Sequence, residues 1–319
     1  MTGTPDVSVL LPARNAGRWV RFALADVLAQ EVGVEVVAVD DRSTDTTRAW
    51  LERFAFEDPR VRVVATEGAG IGAALTAALA ASRAPLVAIM EADDRCAPDR
   101  LSRLAAALVA HPEWDGAVSR AALLGRRTDG MRRYLAWQNR LVAPDELARE
   151  RFVEIPALLQ TGLYRRALVE RAGGFSEPER WPLDIGFWMR AFAVGARVGR
   201  VPRVLYRWRQ HPAQDTRVSD RHRLESLARC KAHYFVRGPA RERAIELVSV
   251  GETLARFREL LRDEGALEVR AHEWKPGRGP APARPAGAVR LFAFGMASVR
   301  ERIRAAIDGW DDRLDWFAA

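Results

Sequence analysis

Residues Val87 to Asp94 read Val-Ala-Ile-Met-Glu-Ala-Asp-Asp, a short apolar run that ends in three carboxylates. Carboxylates at a strand end present hard oxygen ligands. These suit Mg²⁺ or Mn²⁺, ions that commonly bridge to phosphates. In open α/β sheets the carboxyl ends of the strands are where ligands bind. A solvated turn leading to an acidic helix start is the competing reading. A second apolar run, Val34 to Val39, ends in Asp40-Asp41-Arg42-Ser43-Thr44-Asp45. There Ser43 and Thr44 are expected to cap the next helix.

The elements that must hold these carboxylates follow from periodicity. Val7 to Leu11 reads as a buried strand running into the breaker-rich Pro12-Ala13-Arg14-Asn15-Ala16-Gly17. Arg18 to Gln30 has helical apolar spacing, and a further helix runs through Trp50 and Phe54. A third strand at Arg60 to Ala65 leads through Gly68-Ala69-Gly70-Ile71-Gly72 into an Ala-rich helix ending near Ser82. The acidic strand is the fourth. Four βα units in succession predict an α/β sheet with parallel strands and helices on both faces.

Composition narrows the class. The 319 residues are 48% hydrophobic, as in ordinary globular chains. No apolar run approaches the roughly 18 residues that span a membrane, and no charged-then-apolar leader is read at the start. Cys96 and Cys230 have neither disulfide nor zinc spacing, which fits a reducing cytoplasm. The net charge is +8, and only Lys231 and Lys275 among the 50 basic residues are lysine. The arginines are dispersed, unlike a nucleic-acid footprint, so no nucleic-acid partner is expected. Nucleotide-sugar pyrophosphates or an anionic membrane surface fit the charge better.

The blocks Val-Ser-Val-Leu-Leu-Pro-Ala-Arg-Asn, Val-Ala-Val-Asp-Asp-Arg-Ser-Thr-Asp and Met-Glu-Ala-Asp-Asp-Arg resemble those of family 2 glycosyltransferases. So do Ala172-Gly173-Gly174-Phe175 and Leu183-Asp184-Ile185-Gly186-Phe187-Trp188-Met189-Arg190. The resemblance spans residues 6 to 218 with block order kept. Arg133-Tyr134 to Gln138 and Tyr206 to Pro212 are also similar to the β-1,3-N-acetylglucosaminyltransferase-like branch.

The resemblance implies a GT-A fold: a Rossmann-like mixed sheet flanked by helices, with a UDP-sugar as donor and Mn²⁺ or Mg²⁺ as cofactor. Pro12, Ala13 and Arg14 then hold the uridine. Asp41 accepts the imide N–H of uracil, its alternative role being a helix cap. Gly72, Glu91 and Ala92 join the donor site. Asp93 meets the metal, and His211 completes its coordination. Glu91 stands where the family usually has aspartate and reaches ribose or a water. Asp94 supports the site or caps the helix beginning near Pro98.

Asp184 is the expected catalytic base of an inverting displacement, its alternative role again a cap. Leu183 and Gly186 replace carboxylates that the family often carries there. Arg207, Arg209 and Arg217 are candidates for the diphosphate, and Trp181 for a sugar-stacking wall. The acceptor is a hydroxyl of a glycan, a lipid-linked molecule or another compound. The expected location is the cytoplasm, with peripheral contact at the inner face of the membrane.

The transferase domain is expected over residues 1–237. Residues 238–319 repeat a strand-glycine-helix order and read as a small Rossmann-like C-terminal domain, with Lys275 to Gly287 a Pro/Gly-rich loop. Two rival functions compete with the transferase. A sugar nucleotidyltransferase needs a Gly-rich phosphate loop after the first strand, where this chain has Pro-Ala-Arg-Asn. A non-catalytic binding or scaffold subunit is suggested by Glu91, Leu183 and Gly186.

Overall fold

A computed structural model describes residues 5–66, 70–175, 181–212 and 224–319. The chain forms two compact units. The first draws on Met1–Leu147, Pro156–Pro178 and Arg190–Val218; the second on Ala148–Ile155, Glu179–Met189 and Ser219–Ala319.

In the first unit the four apolar runs are β1 (Val7–Ala13), β2 (Val34–Asp40), β3 (Val61–Ala65) and β4 (Leu86–Ile89). They stand in the order β3-β2-β1-β4, all parallel. β1 and β2 are buried at every residue. That is why they read as continuous apolar runs and not as alternating ones. The helices between them are α1 (Val20–Leu28), α2 (Thr47–Glu57) and α3 (Ile71–Ala81). Residues 67–69, which include Gly68 and Ala69, lie outside the described residues.

The chain continues with β5 (Arg95–Cys96), α4 (Arg100–Ala110), β6 (Gly116–Gly125), α5 (Asp129–Arg140), α6 (Pro144–Glu150), β7 (Gly162–Arg165), α7 (Arg166–Arg171), α8 (Leu183–Ala193) and β8 (Val198–Gln210), the end of α6 and residues 183–189 of α8 belonging to the second unit. β7 runs antiparallel to β4 and β6, so the eight-stranded sheet β3-β2-β1-β4-β7-β6-β8-β5 is mixed. β8 follows β6 in parallel, slips register at Ser119/Arg120 and Arg120/Ala121, and also pairs antiparallel with β5. β5 begins directly after the acidic turn, so this pairing carries the end of β8 to the carboxylates. Beneath them the buried Arg100 donates to the carbonyls of Ile89 (3.1 Å), Gln160 (2.5 Å) and Gly162 (3.2 Å).

The second unit has its own sheet: β9 (Ala244–Ser249), β10 (Glu268–Glu273), β11 (Val289–Ala293) and β12 (Asp315–Ala318), parallel in the order β10-β9-β11-β12. Its helices include α9 (Leu224–Arg237), α10 (Gly251–Asp263) and α11 (Ala297–Ala306). The strands all follow residue 238, while three earlier stretches group with them. A row of alternating charge crosses the sheet: Arg270, Glu246, Arg290 and Asp315 are register partners. The Pro/Gly-rich loop is tied to it, since Arg290 Nη1 donates to the Pro282 carbonyl at 2.8 Å. No helix among the described residues is long and apolar enough to cross a membrane.

Candidate functional site

Asp41 stands directly after β2, its amide donating to the carbonyl of Ala13 at the end of β1 at 2.9 Å. Its side chain is only 6% exposed, and Arg14 Nη1 lies 3.8 Å from Oδ2. Oδ1 is buried without a hydrogen-bond partner. A buried carboxylate oxygen left unpaired carries a large desolvation cost, which a ligand N–H would offset. Asp40, next to it, is engaged internally by the Ser43 amide at 3.2 Å. Arg42 adopts φ of 54°, a conformation uncommon outside glycine and concentrated at functional sites.

The loops around this carboxylate are stitched together. The Asn15 amide donates to Ser43 Oγ (3.0 Å), and the Thr44 amide to Asn15 Oδ1 (2.9 Å). The amides of Ala16 and Gly17 reach Thr47 Oγ1 (2.7 Å) and Asp45 Oδ2 (3.0 Å). A Cβ on Gly17 would lie 2.3 Å from Thr46 Oγ1, so this approach needs glycine. Ser43 and Thr44 therefore do not cap α2 as expected; they hold the β1 loop, and Asp45 Oδ1 takes the Thr47 amide instead (2.9 Å). Asn15 and Asp45 were not singled out from sequence, although both lie in the turn-rich blocks.

The acidic turn lies at the end of β4, beside β1 in the sheet. Asp93 Oδ2 is 2.8 Å from His211 Nε2. Two donors in adjacent positions of an octahedral Mg²⁺-like shell are separated by about 3 Å. The pair thus fits a divalent cation by spacing and by donor type. Among the described residues no group of three His, Cys, Asp or Glu side chains gathers as a complete cage, so diphosphate oxygens and water would have to supply the remaining positions.

Asp94 does not cap the following helix, whose N-cap is Asp99. It is 1% exposed, and its Oδ1 accepts the Arg209 amide at 2.6 Å. Burial first, then the charges of Asp93 and Glu91, push its carboxyl well above the usual range; the Arg209 N–H and Tyr206 hydroxyl oppose this. Tyr206 also accepts the Glu91 amide at 3.3 Å. Arg209 is equally committed: its Nε donates to the Asp93 carbonyl at 2.5 Å, and its guanidinium lies 5.7 Å from the Trp19 ring centre. Trp19 in turn packs on the His211 ring at 4.5 Å. The roles of Trp19 and Tyr206 and the clasp between Arg209 and the acidic turn went unseen in the sequence. Their partners are more than a hundred residues apart.

Pro12, Ala13, Glu91 and Ala92 lie at the same strand edge, on β1 and the acidic turn. Gly72 sits in the first turn of α3, its carbonyl accepting Thr76 Oγ1 at 2.8 Å. Arg207 is exposed opposite Arg95, and Arg217 lies outside the described residues. Asp184 belongs to the second unit, half-buried in the first turn of α8, with Oδ1 accepting the Ile185 amide at 2.9 Å. Trp181 is 2% exposed and packs 5.8 Å from the His233 ring, as core and not as a sugar wall.

At the carboxyl ends of β9 and β10, Glu273 Oε1 lies 3.5 Å from the Gly251 amide. Its carboxylate stands at the helix N-terminus where a second nucleotide's phosphate would bind.

Residues 8–171, more than half of the chain, match the family model described as Glycosyl transferase family 2. The chain belongs to this family. The succinoglycan biosynthesis protein ExoO of Rhizobium meliloti (strain 1021) is 42% identical over 102 residues, 31% of this chain and 29% of that protein. EpsJ of Bacillus subtilis (strain 168), an uncharacterized glycosyltransferase, is 24% identical over 230 residues, 67% of this chain and 64% of its own. The chain thus spans under a third of the succinoglycan protein.

Among solved structures, S. aureus TarS 1–349 in complex with UDP-GlcNAc aligns with TM-score 0.60 and 20% identity, over 81% of this chain and 71% of that one. The mannosyltransferase PcManGT of Pyrobaculum calidifontis aligns with TM-score 0.50 and 22% identity, over 82% and 70%. The family 2 chain has the GT-A fold: a mixed, Rossmann-like sheet flanked by helices.

Proposed function

We propose that this family 2 chain transfers a sugar from a UDP-sugar, N-acetylglucosamine favoured, to a hydroxyl of a glycan, lipid-linked or other acceptor, with inversion at the anomeric carbon. The observation that carries this reading is the Asp93–His211 pair at 2.8 Å, on the same sheet edge as the unpaired Asp41 oxygen. The fold neighbours add support: TarS was solved with UDP-GlcNAc, and PcManGT with GDP-Man and Mn²⁺. A lipid-linked acceptor would be met at the inner face of a membrane. Residues 1–237 carry the transfer chemistry, and 238–319 an accessory body.

In this reading Asp41 takes the uracil imide N–H, with Pro12, Ala13 and Arg14 around the base. Gly72, Glu91 and Ala92 border the donor. Asp93 and His211 hold Mn²⁺ or Mg²⁺, which supplies positive charge for the departing diphosphate. Asp184 removes the proton of the acceptor hydroxyl as that oxygen attacks the anomeric carbon. The Arg209 guanidinium binds the Asp93 backbone carbonyl and not its carboxylate, which pairs with His211.

Calorimetry with UDP, GDP and dTDP, with and without Mn²⁺, tests this reading. UDP is expected to bind most tightly, with Mn²⁺ increasing its affinity and Asp93→Ala removing that increase. Equal UDP affinity with and without metal in the wild type would overturn the metal assignment. Preference for GDP would overturn the base assignment.

A further inference from the structure

The outer face of α5 is a concentration of unneutralised positive charge. Residues 126–140 contain Arg126, Arg127, Arg132, Arg133 and Arg140 against a single acid, Asp129. All five arginines are exposed, and among the described residues none has an ion-pair partner. Several exposed arginines elsewhere are answered within the protein: Arg48 by Glu52, Arg53 by Glu57, Arg60 by Asp58 and Arg171 by Asp115.

The helix is ordered by its other face. Leu135 and Gln138 are buried, and Met131 packs on the core of the first unit. Thr128 caps its start, with Oγ1 accepting the Met131 amide at 3.3 Å. At 100° per residue, Arg132, Ala136, Arg140 and Arg133 fall together on the opposite side, over about 12 Å of helix axis. Trp137 flanks them, half-buried and stacked with Tyr134 at 6.3 Å. A tryptophan with an apolar body at the edge of an arginine row is the composition that settles at lipid headgroup level.

We propose that the outer face of α5, with the Arg126–Arg127 turn before it, docks the protein onto an anionic phospholipid surface. The lipid phosphates accept from the guanidinium groups, and Trp137 sits at the headgroup boundary. Charge complementarity argues for this occupant, because five unpaired arginines create a local field that a neutral surface would not answer. The inference rests on the peripheral placement named under the proposed function. Its test uses neither donor nor metal, so its failure leaves the transferase reading untouched.

The test is co-sedimentation with vesicles of phosphatidylcholine alone or mixed with phosphatidylglycerol. The wild type is expected to bind only the mixed vesicles, and less as salt screens the contact. Each basic residue near such a surface contributes about fivefold, so R132Q/R133Q/R140Q should lower partitioning about a hundredfold. The matching R132K/R133K/R140K variant keeps the charge and should keep binding, which a folding defect would not allow. Equal binding to neutral vesicles, or a glutamine variant that partitions like wild type, would overturn the proposal. So would binding to double-stranded DNA in place of the anionic vesicles.

Discussion

The indole of Trp19 lies against the imidazole of His211, ring centres 4.5 Å apart and planes tilted by 33°. Trp19 immediately precedes α1, and His211 follows β8. The contact therefore fixes a ring on one loop by a ring on another. The Arg209 guanidinium shares the same indole at 5.7 Å while holding the Asp93 carbonyl. Trp19 thus orients the histidine at the Asp93 carboxylate.

Replacing Trp19 by alanine should loosen that orientation. We expect the Mn²⁺-dependent gain in UDP affinity to fall by about 1 kcal/mol, the size of an aromatic pair. UDP binding without metal should stay near wild type, and Trp19→Phe should recover most of the loss. Calorimetry at several Mn²⁺ concentrations measures both. A uniform loss with and without metal would mean that Trp19 merely shapes the loop.

Asp41 offers a cleaner perturbation. Asp41→Ala should weaken UDP by about 1–3 kcal/mol, the cost of leaving a buried donor unpaired. Asp41→Asn keeps one acceptor oxygen and should lose less. Titration of both variants with UDP and with uridine checks the assignment; unchanged uridine affinity would place the base elsewhere.

For Asp184 the expected split is between binding and chemistry. Asp184→Asn keeps the volume, and its amide oxygen can still accept the Ile185 N–H, as the carboxylate does at 2.9 Å. UDP affinity should remain, while transfer falls by about 10²–10⁴-fold through loss of the general base. Rapid NMR of the product's anomeric proton should show inversion. Near-normal turnover would leave Asp184 as a helix cap only.

Glu35 predicts a pH signature remote from the chemistry. Its Oε1 accepts from Ser8 Oγ (2.6 Å) and the amides of Arg83 (2.7 Å) and Ala84 (3.2 Å), tying the starts of β1, β2 and β4. Burial alone would raise its pKa, but these bonds and the nearby Arg83 charge outweigh burial and hold it below the ordinary value. A depressed folded pKa stabilises above the unfolded value near 4.3, and that gain is lost as pH falls through the folded value. Glu35→Gln should therefore lose about 1–3 kcal/mol at neutral pH. The difference from wild type should shrink below about pH 4. Urea unfolding at pH 7 and pH 3.5 reads it directly.

The first 100 residues were legible because burial on both faces made each strand a continuous apolar run, and each carboxylate fell at a strand end. Legibility then failed where charge goes inside. Arg100 and Arg200 are 1% and 2% exposed, their guanidinium groups spent on backbone carbonyls. A sequence reader assigns such residues to the surface. Asp315 is fully buried against Arg290 at 2.9 Å, which hid β12. The clasp between Asp94 and Arg209 depends on two register slips in β8 against β6, and no local pattern encodes those. Trp181 failed for the reverse reason: a loop tryptophan looked like a ligand platform and is core.

The second compact unit is assembled from separated stretches, and this restricts how such proteins can recombine. Phe152 packs edge-on against Phe235 and Trp316, and Lys231 Nζ donates to the Val153 carbonyl at 2.8 Å. A crossover at residue 238 would give a chimera one parent's β9–β12 sheet with Trp316 and the other parent's Phe152 and Phe235, which pack on it. Those positions must be inherited together, so viable hybrids should exchange residues 148–155 and 179–189 along with the C-terminal third. Gene shuffling that respects this linkage should yield folded progeny where a single cut does not.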